Sequence, residues 1–309
     1  MAVVEAKPLG LQTVKWTGGE PTIHPQFARL LALEKKHALR GRLETNGLEM
    51  TAALARLMAE SGVRHVSVSL DGAHEQTHDS IRGVRGAYRR ALNGIANLVG
   101  VGYRPQLIMS LLPENVGELD ALLDLAARVG AGSVKLNIVQ PTLRGEGLRA
   151  HGDVLTIEQL LQINQRIDQL QSKYGYRIFF DLPMAFRPLR RLLNGDVQSV
   201  CGIMHILGLL ADGSYALCGI GVHVPEMVFG RVGRDALQDI WRSHRVLAQI
   251  RKGVPGELKG VCGQCIMRTA CLGSCIAQNY YRSRDLFAPF WLCEEALAAG
   301  LFPRERLVD

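Results

Sequence analysis

No cysteine occurs in residues 1 to 200, and all seven of the chain lie between Cys201 and Cys293. Seven is odd, so a disulfide framework cannot use every thiol, and a chain with no secretory signature points to a reducing compartment. No run of about eighteen apolar residues occurs, which excludes a membrane-spanning helix. The opening MAVVEAKPLG has neither a charged stretch leading into an apolar run nor a small-residue cleavage site, so the expected location is cytoplasmic. No dense block of Lys and Arg accompanies the net charge of +7; the basic residues are scattered through helical stretches as a solvated surface, and no nucleic-acid or membrane partner is expected. Internal repeats and low-complexity tracts are absent as well. What is present is 309 residues at 47% hydrophobic content, enough to bury a full core in one large domain with a smaller one, or in two of medium size.

Short apolar runs alternate with amphipathic spacing through the first half. Leu11 to Trp16 reads as a strand stopping at Thr17-Gly18-Gly19, and a helix follows Pro25. Strands near Arg42–Thr45 and His65–Leu70 close on Asn46-Gly47 and Asp71-Gly72, with a helix from Thr51 to Glu60 between them. Helices at Tyr88–Val99 and Val116–Val129 flank the strand Gln106–Leu112, and the strand Ser133–Val139 comes next. A long helix at Ile157–Ser172 and the strand-like Arg177–Asp181 complete the pattern. Strands apolar on both faces and separated by helices predict a parallel α/β sheet with its working face at the strand C-termini. The Arg-rich connector Pro188–Asp196 places the domain boundary, giving units 1–190 and 191–309.

The cysteines follow the order Cys201, Gly213-x4-Cys218, Cys262-x2-Cys265-x5-Cys271-x3-Cys275 and Cys293. Thiolates are soft ligands for zinc or iron–sulfur clusters, and short spacings bring two sulfurs to one centre. Structural zinc takes four ligands per ion, so seven cysteines would complete one site and leave three thiolates needing His205 or His223. Inert buried thiols are the blandest reading, but they do not explain the crowding from Cys262 to Cys275.

This spacing resembles the seven-cysteine pattern of the SPASM domain, the C-terminal extension of many radical S-adenosylmethionine (SAM) enzymes. The resemblance implies two auxiliary 4Fe-4S clusters, one served by Cys201, Cys218 and Cys275 and the other by Cys262, Cys265, Cys271 and Cys293. Where some members place an eighth cysteine, this chain has Asn194-Gly195-Asp196-Val197, which implies an open iron or a non-cysteine ligand on the first cluster. Thr17-Gly18-Gly19-Glu20-Pro21 is similar to the GGEP motif that in this family binds the amino group of SAM; in isolation such a tetrapeptide is a turn. Ser69-Leu70-Asp71-Gly72, with His78, Asp79 and Arg82, resembles the family's fourth-strand region. That likeness makes Ser69 and Arg82 candidates for the SAM ribose and carboxylate, against a solvated surface charge at Arg82. Asn137 and the Gln140-Pro141 turn fall where the family approaches adenine. Gly221–Phe229 and the run Cys271–Arg284 are closest to radical SAM/SPASM proteins of the SynChlorMet cassette, which implies a peptide substrate, a possible peptide-recognition partner and an electron donor.

The family's CxxxCxxC, whose three thiolates hold the SAM-binding 4Fe-4S cluster, does not occur in these residues. The expected fold is therefore a partial (β/α)6 TIM-like radical SAM barrel lacking its first βα unit, followed by the cysteine-rich SPASM domain. The expected function is 5′-deoxyadenosyl-radical hydrogen abstraction from a peptide or natural-product precursor, with this polypeptide inactive alone. Two alternatives stand beside it: a non-catalytic iron–sulfur partner for electron transfer or peptide recognition, and a structural zinc protein.

Overall fold

The computed structural model describes residues 1–193 and 201–308. The stretch Asn194–Val197, expected to bear on the first cluster's fourth ligand, lies outside the described residues. After α1 (Ala2–Ala6) come β1 (Thr13–Trp16), α2 (Phe27–Lys36), β2 (Arg40–Thr45), α3 (Ala52–Ala59) and β3 (Val63–Ser69). Next are α4 (Glu75–Arg82), α5 (Ala87–Gly100), β4 (Gln106–Leu111), α6 (Leu119–Arg128) and β5 (Ser133–Ile138). This half ends with α7 (Arg144–Ala150), α8 (Ile157–Lys173) and β6 (Arg177–Phe180). The strands pair in chain order and all in parallel, forming one six-stranded sheet. Parallel neighbours require a crossover, which the intervening helices supply. Local chemistry starts those helices: Thr51 caps α3, and Thr156 with Gln159 forms a reciprocal capping box on α8.

The strands are not apolar on both faces. Leu43, Val66, Val68, Leu107, Met109, Val134, Leu136 and Ile178 face the helices and join one core with Leu31, Met58, Ile95, Leu98, Leu122 and Ile167. In register with one another on the opposite face stand Glu44, Ser67, Gln106 and Ser133, then Ser69, Ile108 and Lys135. One face is thus built for packing and the other for polar ligands, which is the arrangement a strand-mouth site needs.

Glu34 of α2 is a buried carboxyl, 1% exposed, inside the helix-facing layer. It accepts a hydrogen bond from Trp16 Nε1 at 2.7 Å, and glycine is required beside it because a Cβ on Gly41 would lie 2.1 Å from its Oε1. Burial pushes its pKa up from the ordinary 4.5, and the hydrogen bonds from Trp16 and Gly41 only partly offset this. A raised folded value means the protonated form is favoured by folding, so this contribution is present below about 4.5 and is lost as pH rises through the folded value. The unfolding midpoint of Glu34→Gln should therefore fall less than that of the parent chain as pH is raised above about 4.5 in thermal melts. Parallel pH profiles would refute the assignment.

After α9 (Leu189–Leu193) the described residues form a three-stranded antiparallel sheet of β7 (Gly208–Leu209), β8 (Ser214–Ala216) and β9 (Val228–Arg231). It continues through α10 (Leu237–Ser243), α11 (Arg245–Gly253), α12 (Gly260–Gln264), α13 (Arg268–Cys271), α14 (Ile276–Ser283) and α15 (Trp291–Ala298). Buried Arg306 ties the halves together, donating to Ala185 O at 3.2 Å and to Arg187 O at 2.9 Å. Phe302 packs edge-on against Phe186 with ring centroids 5.6 Å apart. Among the described residues no helix is long and apolar enough to cross a membrane.

Candidate functional site

The turn after β1 has the backbone the motif requires. Gly18 adopts a φ of 115°, a conformation that side chains disfavour, and a Cβ at Gly18 or Gly19 would meet nothing within 4 Å. The turn faces open space sufficient for a ligand to approach the backbone. Glu20 Oε1 accepts from Thr22 N at 3.1 Å, Thr22 Oγ1 at 2.6 Å and Thr45 Oγ1 at 2.7 Å, while Oε2 accepts from Asn46 N at 2.7 Å. The carboxylate therefore clamps the ends of β1 and β2 together, and Oε2 retains acceptor capacity. Pro21 opens the short 3₁₀ turn Pro21–Ile23 that Glu20 caps.

At the end of β3, Ser69 faces the polar side in register with Ile108. Arg82 is no free surface charge. Its Nη2 lies 2.5 Å from Asp71 Oδ2, and the Asp71 side chain is only 3% exposed. Asp71 Oδ1 also accepts from Ser110 N at 2.8 Å, and Asp71 O accepts from Asn115 Nδ2 at 2.9 Å. Asp71 N donates to His78 Nδ1 at 3.0 Å, which requires that nitrogen to be unprotonated; burial, reinforced by the Arg82 charge, lowers the imidazole's proton affinity accordingly. Glu118 holds the same loop by accepting from Ala73 N at 2.7 Å and from Thr77 Oγ1. On β5, Asn137 aligns with Ser110, and its Oδ1 is buried without a hydrogen-bond partner. A buried orphan acceptor at a strand mouth fits a ligand N–H.

The seven thiols fall into two groups. Burial raises the Cys275 thiol to about 12, with further upward pushes from Cys201 and Cys218. The Cys201 thiol is likewise raised by burial and then by Cys218. In the other group Cys293 donates toward Cys262, which holds the Cys262 thiol down and its own up, with Cys271 and Cys265 adding to the rise at Cys293. Burial raises Cys271 to about 11, again with Cys262 and Cys265 as neighbours. Backbone N–H groups point at these sulfurs: Phe290 N to Cys262 Sγ at 3.3 Å, Met267 N to Cys265 Sγ at 3.4 Å, and donors from Ile203, Ile220, Ser274 and Gln278 to Cys201, Cys218, Cys271 and Cys275. N–H donors of this kind stabilise thiolate and tune cluster potential.

Local folding explains the spacing. Gly213, at a φ of 86°, makes the turn that Asp212 closes by accepting from Ser214 N at 3.0 Å, and β8 then delivers Cys218. The second group surrounds a pocket of about 300 Å3, measured out to solvent, walled also by Pro183, Ala185 and Phe302. His205 and His223 are both exposed, and among the described residues no three His, Cys, Asp or Glu side chains converge on a single ion.

The two halves meet at the mouth. Cys201 feels the charges of Lys15 on β1 and of Asp181 just after β6, so the first thiol group sits against the sheet's polar face. Trp291 Nε1 donates to Gln140 Oε1 at 3.2 Å, joining the turn after β5 to the helix that carries Cys293. The Arg149 guanidinium covers the Trp291 ring at 5.1 Å and pairs with Glu295. Sequence reasoning missed the Asp71 knot, Glu118 and the Gln140–Trp291 bond, because each joins residues remote in the chain.

Residues 1–126 match the Radical SAM superfamily, and residues 201–266 match SPASM, an iron-sulfur cluster-binding domain. The Fe-coproporphyrin III synthase of Methanosarcina barkeri is 34% identical over 310 residues, covering 93% of this chain and 75% of that protein. The mycofactocin maturase MftC of Mycobacterium tuberculosis is 27% identical over 291 residues, covering 94% of this chain and 72% of its own. Streptococcus suis SuiB, solved with its precursor peptide SuiA, shares the fold with a TM-score of 0.73 at 15% identity, over 95% of this chain and 67% of that one. A parallel α/β sheet with a polar mouth, fused to a domain of grouped thiols, defines an iron–sulfur enzyme class. The chain belongs to the radical SAM superfamily and carries a SPASM domain. The cofactors of that family are 4Fe-4S clusters and SAM. The grouped thiols fit the first, and the open glycine turn with the orphan Asn137 Oδ1 fits the second.

Proposed function

We propose that this chain forms the substrate- and SAM-binding framework of a peptide-modifying radical SAM enzyme with two auxiliary 4Fe-4S clusters. The observation that carries the reading is the division of the thiols into Cys201, Cys218 and Cys275 on one side and Cys262, Cys265, Cys271 and Cys293 on the other, each sulfur group supplied with backbone N–H donors. Thiols ringing a pocket favour a polynuclear cluster over one zinc ion, whose ligands would have to meet at about 2.3 Å from a point. Gly18, Gly19, Glu20 and Pro21 would hold the methionine end of SAM, Ser69 and Arg82 its ribose and carboxylate, and Asn137 its adenine. SAM bound to a reduced cluster supplies a hydrogen-abstracting radical, drawing its electron from an external donor. The thiolates of that SAM cluster are not among these seven cysteines, so SAM cleavage is not assigned to these residues. Their own work is to orient SAM against the polar sheet face and to hold the auxiliary clusters beside the substrate. The proposed unit boundary near residue 190 separates these two tasks.

MftC and the peptide-bound SuiB favour a peptide substrate. The 34% identity to an Fe-coproporphyrin III synthase favours a second reading, a tetrapyrrole substrate. Anaerobic reconstitution with iron and sulfide should load about eight iron per chain and give broad visible absorption. A folded, colourless protein that retains only zinc, or one whose thiols are joined as cystines, would defeat the cluster reading. Tight anaerobic binding of coproporphyrin III, with no binding of peptides, would select the tetrapyrrole over the peptide.

A further inference from the structure

Lys135 lies midway along β5 on the polar face, in register with Ile108 of β4 and Phe179 of β6. The row beneath it is closed by its own hydrogen bonds: Ser67 Oγ meets His65 Nε2 at 3.2 Å and donates to Gln106 Oε1 at 3.3 Å, and Gln106 Nε2 donates to Ser133 Oγ at 3.1 Å. The row above it holds Asn137 with its orphan Oδ1, and then Asp181, whose N donates to Leu136 O at 3.1 Å and so continues the sheet. Other cations on this face are engaged or, like Arg42 in register with Lys15 and His65, exposed to solvent. Lys15 pairs with Glu44 at 2.6 Å, Arg40 donates to Gln12 at 2.9 Å, and Arg177 stacks on Phe179 at 5.4 Å. Lys135 is half-buried and among the described residues has no hydrogen-bond or ion-pair partner; Asp181, the acidic neighbour one row up on the next strand, makes no ion pair with it.

An ammonium that meets no acceptor in the fold turns its donors to whatever lies beside it, and a satisfied polar floor below it leaves only the space above the sheet to supply an anion. A single ammonium suits a monoanion better than a phosphate, which draws several donors. We infer that Lys135 anchors a carboxylate of the substrate bound over the sheet, beside the SAM whose carboxylate and adenine fall to Arg82 and Asn137. The inference deepens the radical SAM reading and rests on it for what occupies the mouth. A porphyrin and a peptide C-terminus could each present the carboxylate, and the experiment separates them.

Anaerobic equilibrium dialysis of the reconstituted full chain would use SAM against decarboxylated SAM, coproporphyrin III against its tetramethyl ester, and an octapeptide pool with free against amidated C-termini. Lys135→Met should weaken one of the acids about tenfold, ~1.4 kcal/mol, leave its uncharged counterpart unchanged, and be largely rescued by Lys135→Arg. A loss confined to SAM overturns the inference; a loss confined to the porphyrin or to the peptides identifies the substrate that carries the carboxylate. Lys135→Met binding every acid as the parent does, or a parent chain that binds none of them, overturns the inference. Iron content scores the cluster reading separately, and Lys135→Met should keep it at about eight per chain.

Discussion

Reconstituted Cys275→Ala protein is expected to hold about four iron per chain where the parent holds about eight. Cys275 stands four residues after Cys271 in the chain, yet the like charges that push its thiol up are those of Cys201 and Cys218. Removing it leaves the first group with two thiolates, too few to retain a cluster, and leaves Cys262, Cys265, Cys271 and Cys293 intact. Cys293→Ala should give the complementary loss, because its thiol hydrogen-bonds Cys262 and lines one pocket with Cys262, Cys265 and Cys271. The two half-loaded proteins should differ in the EPR spectrum of their reduced clusters. Loss of all iron in both variants, or the same residual spectrum from both, would sink the division into two groups.

Asp71→Ala should be the most destabilising substitution in the barrel half. The carboxylate is 3% exposed and pairs with Arg82, whose side chain is 31% exposed, and it also accepts from Ser110 N at 2.8 Å. Truncation leaves a half-buried guanidinium and a β4 N–H without partners, at a cost on the order of 3 kcal/mol. That corresponds to a fall in Tm of roughly 5 °C for a chain of 309 residues. The double variant Asp71→Ala/Arg82→Ala should lose less than the sum of the two singles, because removing Arg82 also removes the uncompensated charge. SAM affinity should fall as well, since Asp71 joins the ends of β3 and β4 at the mouth. A Tm shift under about 2 °C would show that the Asp71 knot carries little of the fold.

Strand and helix order was legible because apolar periodicity and turn residues are local signals. Asn46-Gly47 and Asp71-Gly72 close β2 and β3 as their turn chemistry predicts, and Gln106–Leu112 and Ser133–Val139 match β4 and β5 to within a residue at the end. The polar face was harder to see. Ser67 and Ser69 alternate with Val66 and Val68, but one serine in a valine-rich strand does not announce a binding face until the neighbouring strands set Gln106, Ile108 and Lys135 beside it. Two short helices, Glu75–Arg82 and Arg144–Ala150, carry too few apolar residues to register as periodic, and tertiary partners hold them: Glu118 at the start of the first, Glu295 and Tyr281 on the second.

The residue string by itself determined the class. The run of cysteines after Cys201, the glycine turn before Glu20 and the alternating strands are patterns of spacing, and spacing is a property of the chain alone. Only the tertiary structure decided that Arg82 is held by Asp71, that Gln140 meets Trp291 across the two halves, and that Lys135 stands without a counter-ion in the mouth. Those relations depend on which side chains are brought within a few ångströms and shielded from water. Charge pairing and desolvation act through space, so no order of residues along the backbone could have displayed them.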